Sequence, residues 1–185
     1  MRLVCNAPLI LSYAGLSLAV LLVDTVAPGF AATWCSSPSE LHVSSPLFFL
    51  RLFTYVLGHA SWNHLIDNFT VVLLVGPVVE ERYGATRLLA MIAFTAVAAG
   101  LLNALFFPTS LMGASGVAFL LIVLVSFRDT TEREIPLTFV LVFALFLGRE
   151  LLAMFREDNI SQFAHIIGGV SGGVMGLVFP APRRR

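Results

Sequence analysis

Residues 111–127 read LMGASGVAFLLIVLVSF and contain no charged side chain. This stretch decides the fold class, because an uncharged apolar run is typical of a helix that is buried or lies within a lipid bilayer. Its length is close to the lower limit of about 17 residues for a membrane-spanning helix. Only Ser115 and Ser126 carry polar side chains in it. Whether this run is a buried helix or a membrane span depends on the other apolar runs of the chain.

Five further apolar runs lie on either side of this stretch. Six spans of about 20 residues use about 120 residues, which leaves room for loops and termini but not for a second domain. We therefore predict an all-α membrane protein with six spans in a single domain over residues 1–185. The predicted spans are Leu9–Ala27, Trp62–Val79, Leu88–Phe107, Leu111–Phe127, Leu137–Phe155 and Phe163–Phe179.

The first run has an alternative interpretation as a signal peptide. Met1-Arg2 provides a basic start, and Ala31-Ala32 provides small residues near a possible cleavage point. The apolar stretch is long for a signal peptide, and its removal would leave five spans. We therefore favour a first membrane span.

The composition excludes several classes of protein. Hydrophobic residues make up 58% of the chain and charged residues 12%, with a mean hydropathy of +0.91. Soluble domains are nearer 45–50% apolar and about 25% charged. A disordered chain, a basic nucleic-acid-binding protein and an ordinary cytosolic enzyme are thereby excluded. The sequence has no lysine, which also excludes Schiff-base chemistry and a Ser-Lys dyad.

The arginines predict the orientation. Cytoplasmic loops of membrane proteins are enriched in basic residues, and the six spans separate the arginines unevenly. We expect both termini in the cytoplasm, and an outer loop over residues 28–61 whose apolar segment Pro46–Leu57 is too short to cross and lies in the interface. The inner arginines are Arg2, Arg82, Arg87, Arg128, Arg133 and Arg183–Arg185, and the outer ones are Arg51, Arg149 and Arg156.

The two cysteines, Cys5 and Cys35, flank the first run. If this run spans the bilayer, the two thiols lie on opposite sides of it. A disulfide between them is then excluded by distance.

Ser115 and His165 are the first candidates for chemistry. Ser115 lies in Gly113-Ala114-Ser115-Gly116, a pattern that also suits simple packing of membrane helices. His165 is the only ionisable residue of the sixth run, and the glycines after it predict a bare helical face that a neighbouring helix can approach closely. Both residues lie about 3–6 Å below the outer edge of their spans. A serine next to a neutral histidine is an activated nucleophile.

A second group of candidates lies in RLFTYVLGHASWNHLIDN, residues 51–68. His64 and Asn68 are four residues apart, so a helix presents them on one face. Both side chains can donate hydrogen bonds to a developing oxyanion. The alternative is that they only hold the outer loop in place, and the two roles are compatible.

Together these motifs resemble the rhomboid intramembrane serine proteases. The resemblance extends from about Arg51 to the end of the sixth span, and four motifs occur in the order of the family. They are His59-Ala60-x-x-x-His64-x-x-x-Asn68, Gly76-x-x-x-Glu80-x-Arg82-x-Gly84, Gly113-x-Ser115-Gly116 and Ala164-His165-x-x-Gly168.

The resemblance implies a rhomboid-like bundle with a role for each matching residue. Ser115 would be the nucleophile and His165 the general base of a dyad, while His64, Asn68 and the backbone N–H of Ser115 would form the oxyanion hole. Phe119 stands where the family often has a tyrosine stacked on the catalytic histidine, and Leu50 stands where many members have tryptophan. The supporting residues would be Gly113, Gly116, Phe119, His59, Arg51 and Gly168, with Glu80 and Arg82 at the inner end of spans two and three.

The implied activity is hydrolysis of a peptide bond in or near the transmembrane segment of a membrane-protein substrate. It needs no cofactor and no metal, and the partners are transmembrane proteins and the lipid bilayer, not nucleic acid. The sequence leaves the oligomeric state open. A bacterial inner membrane is preferred because the chain is a bare six-span core.

Three alternatives remain. The first is a rhomboid-like protein that binds membrane proteins without cleaving them. The second is a metalloprotein using His59, His64, His165 and Asp67, although the sequence lacks a recognised zinc spacing. The third is an aspartyl protease, which would require Asp24 and Asp67 to face each other.

Asp67 does not belong to the family pattern. We take it to point away from His64 by most of a helical turn. We therefore expect it to pair with Arg51 or with a polar group of the outer loop, and not to act as the third member of a catalytic triad.

Overall fold

The computed structural model describes residues 4–127, 135–154 and 159–179. Within these ranges the regular secondary structure is all helical and contains no strand. The helices are α1 (Pro8–Val26), α2 (Phe30–Trp34), α3 (Pro46–Thr54, followed by a 3-10 turn over Tyr55–Leu57), α4 (Trp62–Tyr83), α5 (Ala85–Phe106), α6 (Ser115–Val125), α7 (Leu137–Met154) and α8 (Asn159–Val178).

The bounds of the predicted spans agree with those of the observed helices to different degrees. In the described part of the chain, α1, α4 and α5 are long and apolar enough to cross a membrane. Helix α7 covers the predicted fifth span, and α8 begins four residues before the predicted start at Phe163. The all-helical fold with membrane-spanning helices is thus confirmed, while the count of six spans stays a prediction.

The fourth predicted span, Leu111–Phe127, is wrong at its beginning. Only Ser115–Val125 is helical, and 11 residues extend about 16 Å, roughly half the thickness of the hydrocarbon core. The backbone just before α6 forms hydrogen bonds with distant segments. The Leu111 N–H donates to Ser37 Oγ at 2.7 Å, and the Gly113 N–H donates to the Tyr55 carbonyl at 3.0 Å. These contacts replace the first helical turns, so that α6 begins at Ser115.

Helix α6 forms the centre of the bundle. It packs most extensively on α8 and also contacts α4 and α5. Its core positions are fully or almost fully buried, as expected for a helix that other helices surround. They are Val117, Ala118, Leu120, Leu121, Val123 and Leu124.

The predicted glycine face of α8 is confirmed by its contacts with α6. A Cβ atom on Gly168 would collide with the carbonyl oxygen of Gly116, and one on Gly172 would lie 2.9 Å from the Leu120 carbonyl oxygen. The two backbones therefore approach each other directly, in the manner of small-residue packing between membrane helices.

Glu80 has a different role from the one we expected. It is buried in α4, and its two carboxylate oxygens accept hydrogen bonds from the Leu9 and Ile10 N–H groups, both at 3.0 Å. The first N–H groups of a helix have no acceptor within the helix, and the helix dipole favours an anion there. Glu80 therefore joins span two to the start of span one, and not to span three.

Arg51 of α3 holds the outer loop. Its Nε atom donates to the Ser36 carbonyl at 2.6 Å, and the guanidinium also donates to Ser36 Oγ at 2.6 Å and to the Ser37 carbonyl at 3.0 Å. Among the described residues, Asp67 forms neither the expected ion pair with Arg51 nor a hydrogen bond to the outer loop, so that expectation is wrong. Asp67 is instead exposed.

Both cysteines are free thiols, Cys5 exposed and Cys35 buried, and their location on opposite sides of the bilayer stays a prediction. The cytoplasmic location of both termini stays a prediction. Most of the arginines on which it depends lie outside the described residues: Arg2, Arg128, Arg133, Arg156 and Arg183–Arg185.

Candidate active site

A cavity of about 520 Å³ lies where the start of α6 meets α4 and α8. It brings together four of the predicted site residues with side chains capable of chemistry. The described residues that line it include no carboxylate and no arginine, so their polar groups are hydroxyls, imidazoles and an amide. The lining residues are Tyr55, His64, Asn68, Ser110, Leu111, Met112, Gly113, Ser115, Ala164 and His165.

Ser115 is the first residue of α6, and the irregular segment described above determines its position. The N–H groups of a first helical turn have no acceptor within the helix. The positive end of the helix dipole also lies there. The hydroxyl and the adjacent backbone donors of Ser115 therefore stand beside the cavity, where negative charge is stabilised.

His165 lies on α8, on the other side of the cavity. Its ring packs against Phe119, one turn after Ser115, with ring centroids 4.5 Å apart and an angle of 47° between the planes. Close backbone contact keeps the two helices at this separation, because a Cβ on Gly116 would lie 3.1 Å from the Ala164 carbonyl oxygen. No helix separates Ser115 from His165.

His64 and Asn68 line the cavity from the first turns of α4. Ser61 caps this helix, since its side chain accepts a hydrogen bond from the His64 N–H at 3.1 Å. The Asn68 side chain is buried, and its Nδ2 donor has no hydrogen-bond partner among the described residues. An unsatisfied buried donor is costly, so this amide is a notable feature of the site.

Gly113, in the segment before α6, packs tightly against His64 and Asn68 of α4. Its φ of +127° lies in the region that favours glycine. A Cβ atom at this position would also lie 2.7 Å from His64 Nε2 and 3.5 Å from Asn68 Nδ2. Both the backbone conformation and the available space therefore require glycine here.

His59 supports the site from below the cavity. Its Nε2 accepts a hydrogen bond from the Ala114 N–H at 3.3 Å, and its Nδ1 lies 3.2 Å from the Leu57 carbonyl. The neutral ring must therefore carry its proton on Nδ1. Burial, together with the neighbouring His64 imidazole, lowers the pKa of His59 from 6.5 to about 4.

This arrangement predicts that stability depends on pH. Because the folded state disfavours protonated His59, its contribution to stability is complete above pH 6.5 and is lost as the pH falls towards 4. We expect the Tm of the purified protein to fall over this range. His59→Gln should have a lower Tm at pH 8 but a shallower decline.

His42→Gln is the matched control, because His42 is exposed in the outer loop and should leave the slope unchanged. An unaltered decline in His59→Gln would contradict the prediction.

Sequence reasoning missed several lining residues, notably Tyr55, Ser110 and Met112. Tyr55 bonds to two parts of the fold: its hydroxyl donates to the Ala96 carbonyl at 3.2 Å, and its carbonyl accepts from the Gly113 N–H. Nothing in the local pattern distinguishes Tyr55 from the other residues of an apolar segment. Only the tertiary structure identifies Tyr55 as a residue of the site.

The prediction that Asp67 points away from His64 is also wrong. Three residues along a helix correspond to about 300°, which returns the side chain to within about 60° of the starting direction. The Asp67 carboxylate accordingly interacts electrostatically with His64.

The described residues give little support to the metalloprotein and aspartyl-protease alternatives. Within residues 4–127, 135–154 and 159–179, no group of three or more His, Cys, Asp or Glu residues could hold a metal ion. Asp24, near the last residue of α1, accepts a hydrogen bond from the Ala31 N–H at 2.8 Å.

Comparison with known proteins gives the family. The model of the rhomboid domain matches residues 47–182, which is most of the chain. The chain is 32% identical over 139 residues to Rhomboid-related protein 1 of Caenorhabditis elegans, covering 69% of this chain and 39% of that protein. It is 31% identical over 128 residues to Rhomboid protease GluP of Bacillus subtilis, covering 66% of this chain and 24% of that protein. A third relative, Putative rhomboid protease YdcA of Bacillus subtilis, is 26% identical over 144 residues, with 73% and 69% covered.

The chain therefore belongs to the rhomboid family. Members of this family are integral membrane proteins, in agreement with the apolar helices described above. The chain spans well under half the length of the first two relatives. Some relatives are named as proteases and others only as rhomboid-related or RHOMBOID-like proteins.

Proposed function

We propose that this chain is an intramembrane serine endopeptidase that cleaves transmembrane proteins with a dyad of Ser115 and His165. The family membership supports the class of reaction. The cavity supports the assignment of roles, because it is lined by a serine at a helix start, a histidine on the facing helix and amide and imidazole donors beside them.

In the proposed reaction, Ser115 Oγ attacks the carbonyl carbon of the scissile bond while His165 takes the hydroxyl proton. The carbonyl oxygen becomes an oxyanion that accepts hydrogen bonds from His64, Asn68 and the Ser115 N–H. The C–N bond then breaks, and the amine leaves with the proton from His165. Water, activated by His165, hydrolyses the ester and releases Ser115.

The single observation that carries this proposal is the Asn68 Nδ2 donor. Native proteins pair nearly all their buried polar groups, and an unpaired one calls for a specific explanation. Several buried side-chain atoms in the described part of the chain have no hydrogen-bond partner there, and Asn68 Nδ2 is the one among them whose residue lines the cavity with Ser115. A donor held in readiness for transition-state charge is such an explanation, because its hydrogen bond forms only during the reaction.

The experiment that tests the proposal is labelling with a fluorophosphonate probe, which forms a covalent bond with activated serines. The wild-type protein, purified in detergent, should be labelled, and both Ser115→Ala and His165→Ala should lose the label. Ser126→Ala is the matched control, because Ser126 ends the same helix and its hydroxyl bonds to the Ile122 carbonyl. This variant should be labelled like the wild type.

The result that would overturn the proposal is labelling that does not require Ser115, or none in a folded wild-type protein. The second outcome would favour a rhomboid-like protein that binds membrane proteins without cleaving them.

The proposed substrates are membrane proteins whose transmembrane helix unwinds near the outer face, because a helix withholds its carbonyl groups from attack. A bacterial inner membrane remains a prediction, since the relatives come from a bacterium, plants and a worm.

A further inference from the structure

Asp67 is a charged residue in an unusual position. It lies five residues after the start of α4, or about 8 Å along a helix that is apolar enough to span a membrane. Its side chain is exposed and is not packed into the bundle. Ionisable residues within membrane spans are costly, and by default they have a function.

The described part of the chain provides no counter-charge for this carboxylate. Asp67 forms no salt bridge there, and Arg51, the arginine of the outer loop, is bonded to the oxygens of Ser36 and Ser37. The group that it does affect is His64, through an electrostatic interaction. Asp67 therefore remains a negative charge close to the donors of the site.

The position of Asp67 in α4 places this charge close to residues that line the cavity. Asp67 directly precedes Asn68 and is one turn from His64, and both of those residues line the cavity. Among residues 4–127, 135–154 and 159–179, none that lines the cavity is a carboxylate or an arginine. Asp67 is the only aspartate, glutamate, lysine or arginine in residues 62–79, so a substrate segment that enters beside this part of α4 meets a negative charge.

We propose that Asp67 is a specificity-determining residue that pairs with a lysine or arginine of the substrate next to the scissile bond. The proposal rests on the proposed function, since it assumes that the cavity takes a peptide segment. A charge near lipid is screened less than one in bulk water, so complementary charges favour one substrate and like charges disfavour another.

The test compares three versions of one cleavable transmembrane substrate, with Lys, Gln or Glu placed singly at each position flanking the scissile bond. In proteoliposomes, the wild type should show a kcat/KM about tenfold higher for Lys than for Glu at one or more positions. Asp67→Asn should abolish this ratio, and Asp67→Lys should invert it. Glu40→Gln is the matched control, because Glu40 is an exposed carboxylate of the outer loop and should preserve the ratio.

Two results would overturn the inference. Equal kcat/KM values for the Lys and Glu substrates at every position would exclude recognition of a cation. A preference for Lys that Asp67→Asn retains would assign it to another group. A purely electrostatic action of Asp67 on His64 would change cleavage of all three substrates by the same factor, and would contradict the inference in the same way.

Failure of the proposed function would look different, because no substrate would be cleaved. Binding then provides the readout. The Ser115→Ala variant should bind the Lys version of the transmembrane peptide about tenfold more tightly than the Glu version, and the double variant with Asp67→Asn should bind both equally. Equal affinities in the single variant would overturn the inference without reference to catalysis.

Discussion

Replacing Ser115 with alanine is expected to lower kcat/KM for a transmembrane substrate by at least about 10⁴-fold. Asn68→Ala is expected to lower it by about 10²–10³-fold, the usual effect of losing one oxyanion donor. The difference arises because alanine at position 115 removes the atom that forms the covalent bond. Alanine at position 68 removes one of several hydrogen bonds to the oxyanion.

The measurement is the initial rate of cleavage of a fluorogenic transmembrane substrate by each variant in proteoliposomes. Asn68→Ala should still react with the fluorophosphonate probe, more slowly than the wild type. Ser126→Ala again serves as the control on α6. Equal residual activity in Ser115→Ala and Asn68→Ala would contradict the assigned roles.

The second large effect is expected at Gly168. A Cβ there would collide with the carbonyl oxygen of Gly116, a backbone atom that cannot move without shifting the start of α6. An extra methyl group in a well-packed interior typically lowers the free energy of unfolding by about 1–3 kcal/mol. A collision with a backbone atom should lower it by at least the upper value. We expect Gly168→Ala to lower the Tm by several degrees and to abolish probe labelling, although Ser115 is still present.

Gly173→Ala is the control for this prediction, since it makes the same chemical change five residues further along the same helix. A Cβ at Gly173 would lie 3.4 Å from the Phe139 ring, an ordinary contact. Alanine in a helix is favoured over glycine by about 0.5–1 kcal/mol, so the Tm of this variant should be unchanged or higher. Similar Tm values for the two variants would show that α6 and α8 are not held in backbone contact.

Periodicity and apolar content predicted the helices well, because a membrane-spanning helix is specified by its own composition. The glycine face of α8 was predicted for the same reason: the residues at positions 168, 172 and 176 recur at helical spacing. His64 and Asn68 on one face of α4 are another example of local geometry that the sequence determines.

Contacts between distant segments were not predictable in this way. The late start of α6 depends on hydrogen bonds from Leu111 and Gly113 to Ser37 and Tyr55, which only the tertiary structure brings together. The contribution of Tyr55 and the bonding of Glu80 to α1 have the same origin. Asp67 differs from these cases, because local helical geometry alone makes it a near neighbour of His64, three residues away.

The bonds from Glu80 to α1 have a consequence for how this protein family can vary. Helix α1 precedes residue 47, where the family match begins, yet a carboxylate from the matched region attaches it to the bundle. Since Glu80 contacts main-chain amides, nearly any amino acid other than proline satisfies it at positions 9 and 10. These bonds thus place no demand on the side chains at positions 9 and 10, and the restriction at position 10 comes from the packing of buried Ile10 against Gly76.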